Sequence, residues 1–301
     1  MTTSKTFSPT AEAAAGITQT IGLRRRRLRQ FISRLIAHAI LSFLGIIFSI
    51  PFFWLLTTSL KADRQILAWP PVWIPNPVIW RNYPDVFKYA PFLLYFRNTM
   101  IVVAAHVFGG VVTCSLAAYA FARLKAPGRD LIFMVMISTM MIPGIVTLVP
   151  IYIIFAKLDW IDTFLPLTVP PLTGSAFFIF MLRQFYLTIP IELEEAALMD
   201  GATRWTIWWK LMLPLSTPAL ATVAVFAFMG AWNDYLSPLI FLNSRALYTL
   251  ALGLNVFLHE HTADWGLLMA ASTMMVIPVI VTFFLVQKQF VQGITLTGIK
   301  G

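Results

Sequence analysis

Long apolar runs alternate with short charged connectors along the chain, and the length of the runs decides what they are. Crossing about 30 Å of hydrocarbon at about 1.5 Å per helical residue takes roughly 20 residues. Six windows free of Asp, Glu, Lys and Arg meet that length: 35–60, 98–122, 131–156, 163–182, 211–233 and 265–287. They predict an all-α membrane protein with six transmembrane helices. Two further uncharged runs are not spans, because 65–80 holds Pro70, Pro71, Pro75 and Pro77 and 246–259 is too short. Prolines also interrupt the later windows at 143, 150, 166, 170, 171 and 278. Kinks there suit helices that line a pathway, and neighbouring helices can equally absorb them. No internal repeat is visible, which argues against an inverted-repeat carrier.

Composition strengthens the membrane reading. Only 12% of the 301 residues are charged, against roughly 25% in soluble domains, and mean hydropathy is +0.78. The remaining polar sequence is too short for a separate soluble domain, so one domain is expected: a tail at 1–34, a six-span body at 35–288 and a tail at 289–301. With the N-terminus inside, the inner segments carry 15 of the 22 Lys and Arg residues. This bias places both termini in the cytoplasm. The net charge of +9, including the cluster Arg24 to Arg29, is then explained by topology and anionic headgroups, with no nucleic-acid partner. The apolar run after those arginines is too long for a signal-peptide core and is expected to remain as an anchor. Cys114 is the single cysteine, so no intrachain disulfide is expected.

The orientation makes 183–210 the longest cytoplasmic connector between spans. Pro190 opens a short helix whose first turns hold Glu192, Glu194 and Glu195, acids suited to the positive end of a helix dipole. Gly201 stops that helix, and a second segment runs from Thr203 to Leu213 before Pro214. The pattern describes a helix-turn-helix on the inner face, polar at its tip, which is also what an ordinary interfacial loop would give.

Glu195-Ala196-Ala197, three residues, Gly201, nine residues, then Leu211-Met212-Leu213-Pro214 resembles the EAA loop of the permease subunits of bacterial ABC importers, with Leu211 where isoleucine is usual. "PFFWLLTTSLKADRQI", "NYPDVFKYAPFLLYFRNT", "SLAAYAFARLKAPGR", "AWNDYLSPLIFLN" and "ITLTGIKG" extend the resemblance over most of the chain beyond residue 23, toward the smaller permease of maltose-like carbohydrate importers. The resemblance implies a bacterial inner-membrane transport subunit that is not an enzyme. It implies a homologous second permease, two ATPase subunits, an external substrate-binding protein and a saccharide substrate. This chain would bind no cofactor itself, ATP and Mg residing on the ATPase. By resemblance, the loop is the coupling helix: Glu195, with Ala196 and Ala197, meets the ATPase, Gly201 shapes the turn, and Leu211, Leu213 and Pro214 tie the loop to span five. The segment from Leu242 to Trp265 would reach toward the binding protein, and the C-terminal tail toward the ATPase.

Other chemistry is sparse. His259-Glu260-His261 is the one His/carboxylate cluster, and its alternate spacing puts the two imidazoles on different helical faces, so no metal site is expected. No GxxxxGK[ST] phosphate loop occurs. Trp232, Asn233 and Asp234, at the outer part of span five, are the candidates for a translocation path, because an ionisable group at membrane depth points to a pathway. Asp234 can equally be wetted at the boundary, and Trp232 can stack on a sugar ring or anchor at the interface. The alternative to an ATP-driven importer is an ion-coupled secondary transporter in which Asp234 carries the coupling ion.

Overall fold

The apolar windows become helices because a helix is the one open-ended element that satisfies all its own backbone polar groups in hydrocarbon. The computed structural model describes residues 9–258 and 264–297, with side chains described over 30–258 and 264–287. Among the described residues the regular structure is helical, with no extended strand. Two units are distinguished, Met1–Thr57 and Thr58–Gly301.

The first unit is built on α1 (Pro9–Ser59), which carries the first apolar window. Helix therefore begins well inside the expected tail 1–34. From Gln30 to Phe53 every side chain is exposed. Apolar residues on all sides of a helix fit a surrounding of lipid or of another chain. The side chains of the Arg24 to Arg29 cluster lie outside those described.

The second unit contains α2 (Asn82–Tyr89), α3 (Phe92–Arg123), α4 (Arg129–Met141), α5 (Gly144–Lys157), α6 (Leu165–Thr188), α7 (Ile191–Met199), α8 (Arg204–Leu215), α9 (Thr217–Asn233), α10 (Leu236–Phe241) and α11 (Trp265–Thr297). Four helices (α1, α3, α6 and α11) are long and apolar enough to cross a membrane alone. The third and fifth windows are not straight spans. α4 and α5 meet at 101° and α8 and α9 at 81°, and counting each bent pair as one span gives six. The first bend lies at Pro143, which forces Ile142 out of the helical region to ψ 116°. The second is at Ser216, between Pro214 and Pro218, so residues 211–215 lie before the bend, in the loop's second helix. At the C-terminus the helix continues through Thr297, into the segment read as a tail from 289. Residues 298–301 and His259-Glu260-His261 lie outside the described residues.

α3 organises the packing. Its first half lies against α9 and the start of α6, its second half against the end of α6, while α9 packs on α11 and α11 on α2. Two apolar cores result. One centres on Tyr95, Trp232 and Phe257, the other on Tyr119, Leu182, Trp208 and Met212 beside the 190–214 loop. Where α3 crosses α6 the backbones nearly touch. A Cβ on Gly109 would sit 2.0 Å from the Pro171 carbonyl oxygen, so only glycine fits. Cys114 is buried nearby, its Sγ accepting the Ser175 N–H at 3.2 Å.

The end of the unit away from the loop is held by polar clasps. Asn98 Nδ2 donates to the carbonyls of Ala246 and Tyr248 at 2.8 and 3.0 Å, and Thr99 Oγ1 accepts the Leu250 N–H at 2.8 Å. Asp162, at φ 60°, accepts the Ser244 hydroxyl and the backbone N–H groups of Ser244 and Asn243 at 2.8 and 2.9 Å. The Ser244 hydroxyl first, then these N–H groups, hold its carboxyl below the ordinary carboxylate range. A depressed folded-state pKa gives stability that is complete above the unfolded value, about 4, and is lost progressively below it as pH falls through the folded-state value. Asp162→Asn tolerates the same backbone conformation and is expected to cost roughly 1–2 kcal/mol at pH 7 for this part-exposed clasp. Thermal unfolding in detergent at pH 7 and pH 3.5 checks this: the deficit narrows at the lower pH, and a deficit independent of pH contradicts the clasp.

Candidate functional site

The 190–214 loop is a helix-turn-helix whose turn is fixed by the backbone. Pro190 caps α7 with extended geometry, and the helix then runs Ile191–Met199. Its end is a Schellman motif: the Ala202 N–H reaches the Ala197 carbonyl at 2.9 Å and the Gly201 N–H reaches the Leu198 carbonyl at 3.0 Å. Gly201 supplies the φ of +81° this motif needs, and open space surrounds the position of its missing Cβ. Thr203 then starts α8 by accepting the Thr206 N–H on its hydroxyl at 3.2 Å. Gly201 is thus a conformational requirement and not a packing one.

The side chains divide into a buried root and an exposed tip. Ile207, Trp208 and Met212 are buried in the second core, with Ala197, Leu211 and Leu213 partly buried against it, while Pro214 is exposed in the last turn of α8 just before the bend. Glu192, Glu195, Ala196, Leu198 and Met199 are exposed, Met199 at 88%. Glu195, Ala196 and Met199 therefore present a mixed acidic and apolar surface outward.

Glu194 lies in the first turn of α7, as expected, but unlike Glu192 and Glu195 it points inward. It is 3% exposed. Its Oε1 accepts the Tyr119 hydroxyl at 3.1 Å and a short bond from Arg204 Nη1, and its Oε2 lies 3.6 Å from Arg123 Nε. The Arg123 side chain is 6% exposed, and its Nη2 donates to the carbonyls of Tyr186 (2.7 Å) and Ile189. One buried carboxylate thus joins four places: the end of α3, the end of α6, α7 and the start of α8. A charge removed from water is tolerated when paired and hydrogen-bonded in this way. The sequence signals for it are Arg204, within the loop, and an arginine closing an apolar run far from the loop.

The three candidates at the end of α9 separate. Trp232 is 1% exposed, stacks on Phe228 at 5.3 Å, meets Phe96 edge-on and donates from Nε1 to the Met275 carbonyl at 3.2 Å. Its ring is core, with no face open for a sugar or a membrane interface. Asn233 is exposed and bonds back to the Met229 carbonyl. Asp234 accepts the Ser237 N–H at 3.1 Å and lines a cavity of about 570 Å³ with His106, Ser237 and Thr173.

Known proteins resemble this chain in sequence and in fold. The chain is 35% identical over 276 residues to the inner membrane ABC transporter permease protein YcjP of Escherichia coli (strain K12), covering 91% of this chain and 99% of that one. It is 33% identical over 272 residues to the sulfoquinovosyl glycerol transport system permease protein SmoH of Agrobacterium fabrum, covering 89% and 93%. It is also 33% identical over 240 residues to the sn-glycerol-3-phosphate transport system permease protein UgpE of Yersinia enterocolitica, covering 77% and 85%. A solved bacterial ABC transporter involved in the import of the acidic polysaccharide alginate superposes with a TM-score of 0.75 over 95% of this chain and 100% of that chain, at 21% identity, a likeness of fold. The family described as the binding-protein-dependent transport system inner membrane component matches residues 109–296, a stretch that contains the loop and both bent helix pairs. With its apolar helices and these relatives, the chain belongs to that family, as a multi-pass inner-membrane permease.

Proposed function

We propose that this permease is the membrane-spanning subunit of an ATP-driven, binding-protein-dependent sugar importer, and that the 190–214 loop couples its spans to an ATPase. The observation that carries the reading is the division of the loop into a buried, charge-locked root at Glu194 and an exposed tip at Glu195, Ala196 and Met199. A loop without a partner has no need of a rigid root. One that receives a mechanical push needs the root tied to the spans, and Arg123, Arg204, Leu211 and Leu213 supply such ties.

The subunit does no covalent chemistry in this reading. A homologous permease stands beside it, two ATPase subunits carrying ATP and Mg lie on the cytoplasmic side with both termini, and a sugar-binding protein docks outside. Closure of the ATPase pair moves the coupling loops, and the spans exchange inward-open for outward-open states. The push is productive only because loop contacts differ in energy between the two states. Relatives named for sulfoquinovosyl glycerol and diacetylchitobiose transport support a saccharide substrate, and the glycerol-3-phosphate relative is as similar in sequence. Family membership weighs against the ion-coupled carrier.

Gly201→Asp and Gly201→Asn separate charge from backbone, since both side chains accept a left-handed residue. An unpaired charge inside a docked interface is costly. In the reconstituted importer, Gly201→Asp is expected to lower binding-protein-stimulated ATP hydrolysis and uptake about tenfold, equivalent to about 1.4 kcal/mol, with Gly201→Asn much closer to wild type. Equal activity in both variants and wild type contradicts a partner at the tip.

The root is tested by stability. Glu194→Ala leaves Arg123 buried without its carboxylate and is expected to cost about 3–5 kcal/mol. In thermal unfolding of the purified importer, Arg123→Gln with Glu194→Gln should lose less than the sum of the single variants, as residues of one network do. Simple additivity contradicts the bridge.

A further inference from the structure

The cavity at Asp234 lies where three helices break. α5 begins at Gly144 after the 101° bend, α6 opens at Thr173 after Pro170 and Pro171, and α9 ends at Asn233 before α10. His106 adds a fourth wall, halfway along α3. Irregular backbone at membrane depth is tolerated where it faces protein or a water-filled cavity, and broken helices commonly surround transported solutes. The volume of about 570 Å³ falls within the roughly 300–1,000 Å³ of small-molecule sites.

Its lining has the character of such a site: mostly apolar, with a few polar groups. Phe155 and Phe241 pack edge-on at 5.4 Å on the apolar side. Asp234, Ser237, Thr173 and His106 supply the polar atoms. Asp234 uses Oδ1 on the Ser237 N–H, His106 Nδ1 is engaged with the Val102 carbonyl at 2.9 Å, and Thr173 Oγ1 donates to the Pro170 carbonyl at 2.7 Å. Among the described residues, neither lysine nor arginine lines the cavity.

We propose that this cavity is a substrate subsite on this subunit for a neutral, polyhydroxylated molecule, with Asp234 accepting hydroxyl groups and its negative charge excluding anionic solutes. The proposal rests on the importer reading and adds to it a place of contact and a charge class. The apolar lining suits the C–H surface of a sugar ring, while the carboxylate suits its hydroxyls. A phosphate or carboxylate on the solute would meet Asp234 with only the imidazole of His106 to offset the repulsion.

Cysteine labelling in the assembled, membrane-reconstituted importer tests it whichever sugar is carried. Ser237→Cys and Thr173→Cys are exposed to a cationic trimethylammonium and an anionic sulfonate methanethiosulfonate, in resting and ATP-bound states, with rates normalised to a free thiol. The parent, whose single thiol Cys114 is buried, gives the background. The expected result is labelling in at least one state with about a tenfold preference for the cation, which one nearby carboxylate can produce. Asp234→Asn should bring that preference close to unity. No labelling at either position, or a preference unchanged by Asp234→Asn, overturns the subsite. ATP-driven uptake of an anionic probe such as glucuronate or sn-glycerol 3-phosphate by the wild-type importer overturns the charge class. An assembly that labels as expected but moves no solute with ATP counts against the importer reading and leaves the charged cavity standing.

Discussion

The carboxylate of Glu194 is the interaction on which the cytoplasm-facing loop, as proposed, depends. Without it, Arg123 would sit beneath the loop with its charge balanced only by the carbonyls of Tyr186 and Ile189, and α7 would have no polar attachment to α3. Breaking a buried pair costs more than the pair contributes over an apolar substitute. Its retention therefore fits a demand for a unique geometry better than a demand for stability alone. The Schellman turn at Gly201 extends that geometry from the root to the tip, because two backbone hydrogen bonds fix how α8 leaves α7.

The second constraint is the proline-driven breakage of the helices. In hydrocarbon each missing backbone bond is expensive, yet the chain breaks at Pro143 and between Pro214 and Pro218 and opens α6 beyond Pro171. Those breaks serve different ends of the unit. The bend at Ser216 turns the chain from the loop into α9. The breaks at Gly144 and Thr173 leave a hollow that reaches Asp234. Between them, Gly109 lets α3 and α6 touch at the Pro171 carbonyl. α3 and α6 thus run in contact from the loop root to the cavity, which is the route the proposed coupling would use.

Much of this was readable in the sequence, and the rest was not for identifiable reasons. Span positions follow from uncharged length alone, and the turn at Gly201 from a glycine at the end of an acidic-start helix. The bends were legible only as prolines, since sequence does not say whether neighbours absorb a kink or exploit it. Glu194 read as one of three acids in the opening turns of a helix, and its burial was not legible because Tyr119 and Arg123 reach it from α3, far away in the sequence. Trp232 read as an interfacial or sugar-facing ring. Its burial depends on Phe228, Phe96 and Met275 converging from three helices, which helical periodicity in a uniformly apolar span cannot reveal. The cavity combines residues from four helices and is likewise a tertiary property.

The claim that the loop tip meets an ATPase is tested most directly by a photo-reactive amino acid placed at Met199, which stands almost fully exposed at the end of α7. Irradiation of native membranes, followed by mass spectrometry of the adducts, reports what the tip touches. The expected result is an adduct with a nucleotide-binding subunit whose yield changes with ATP. Adducts with lipid or with this chain alone, in membranes where the assembled importer is present, would contradict a coupling role for the loop.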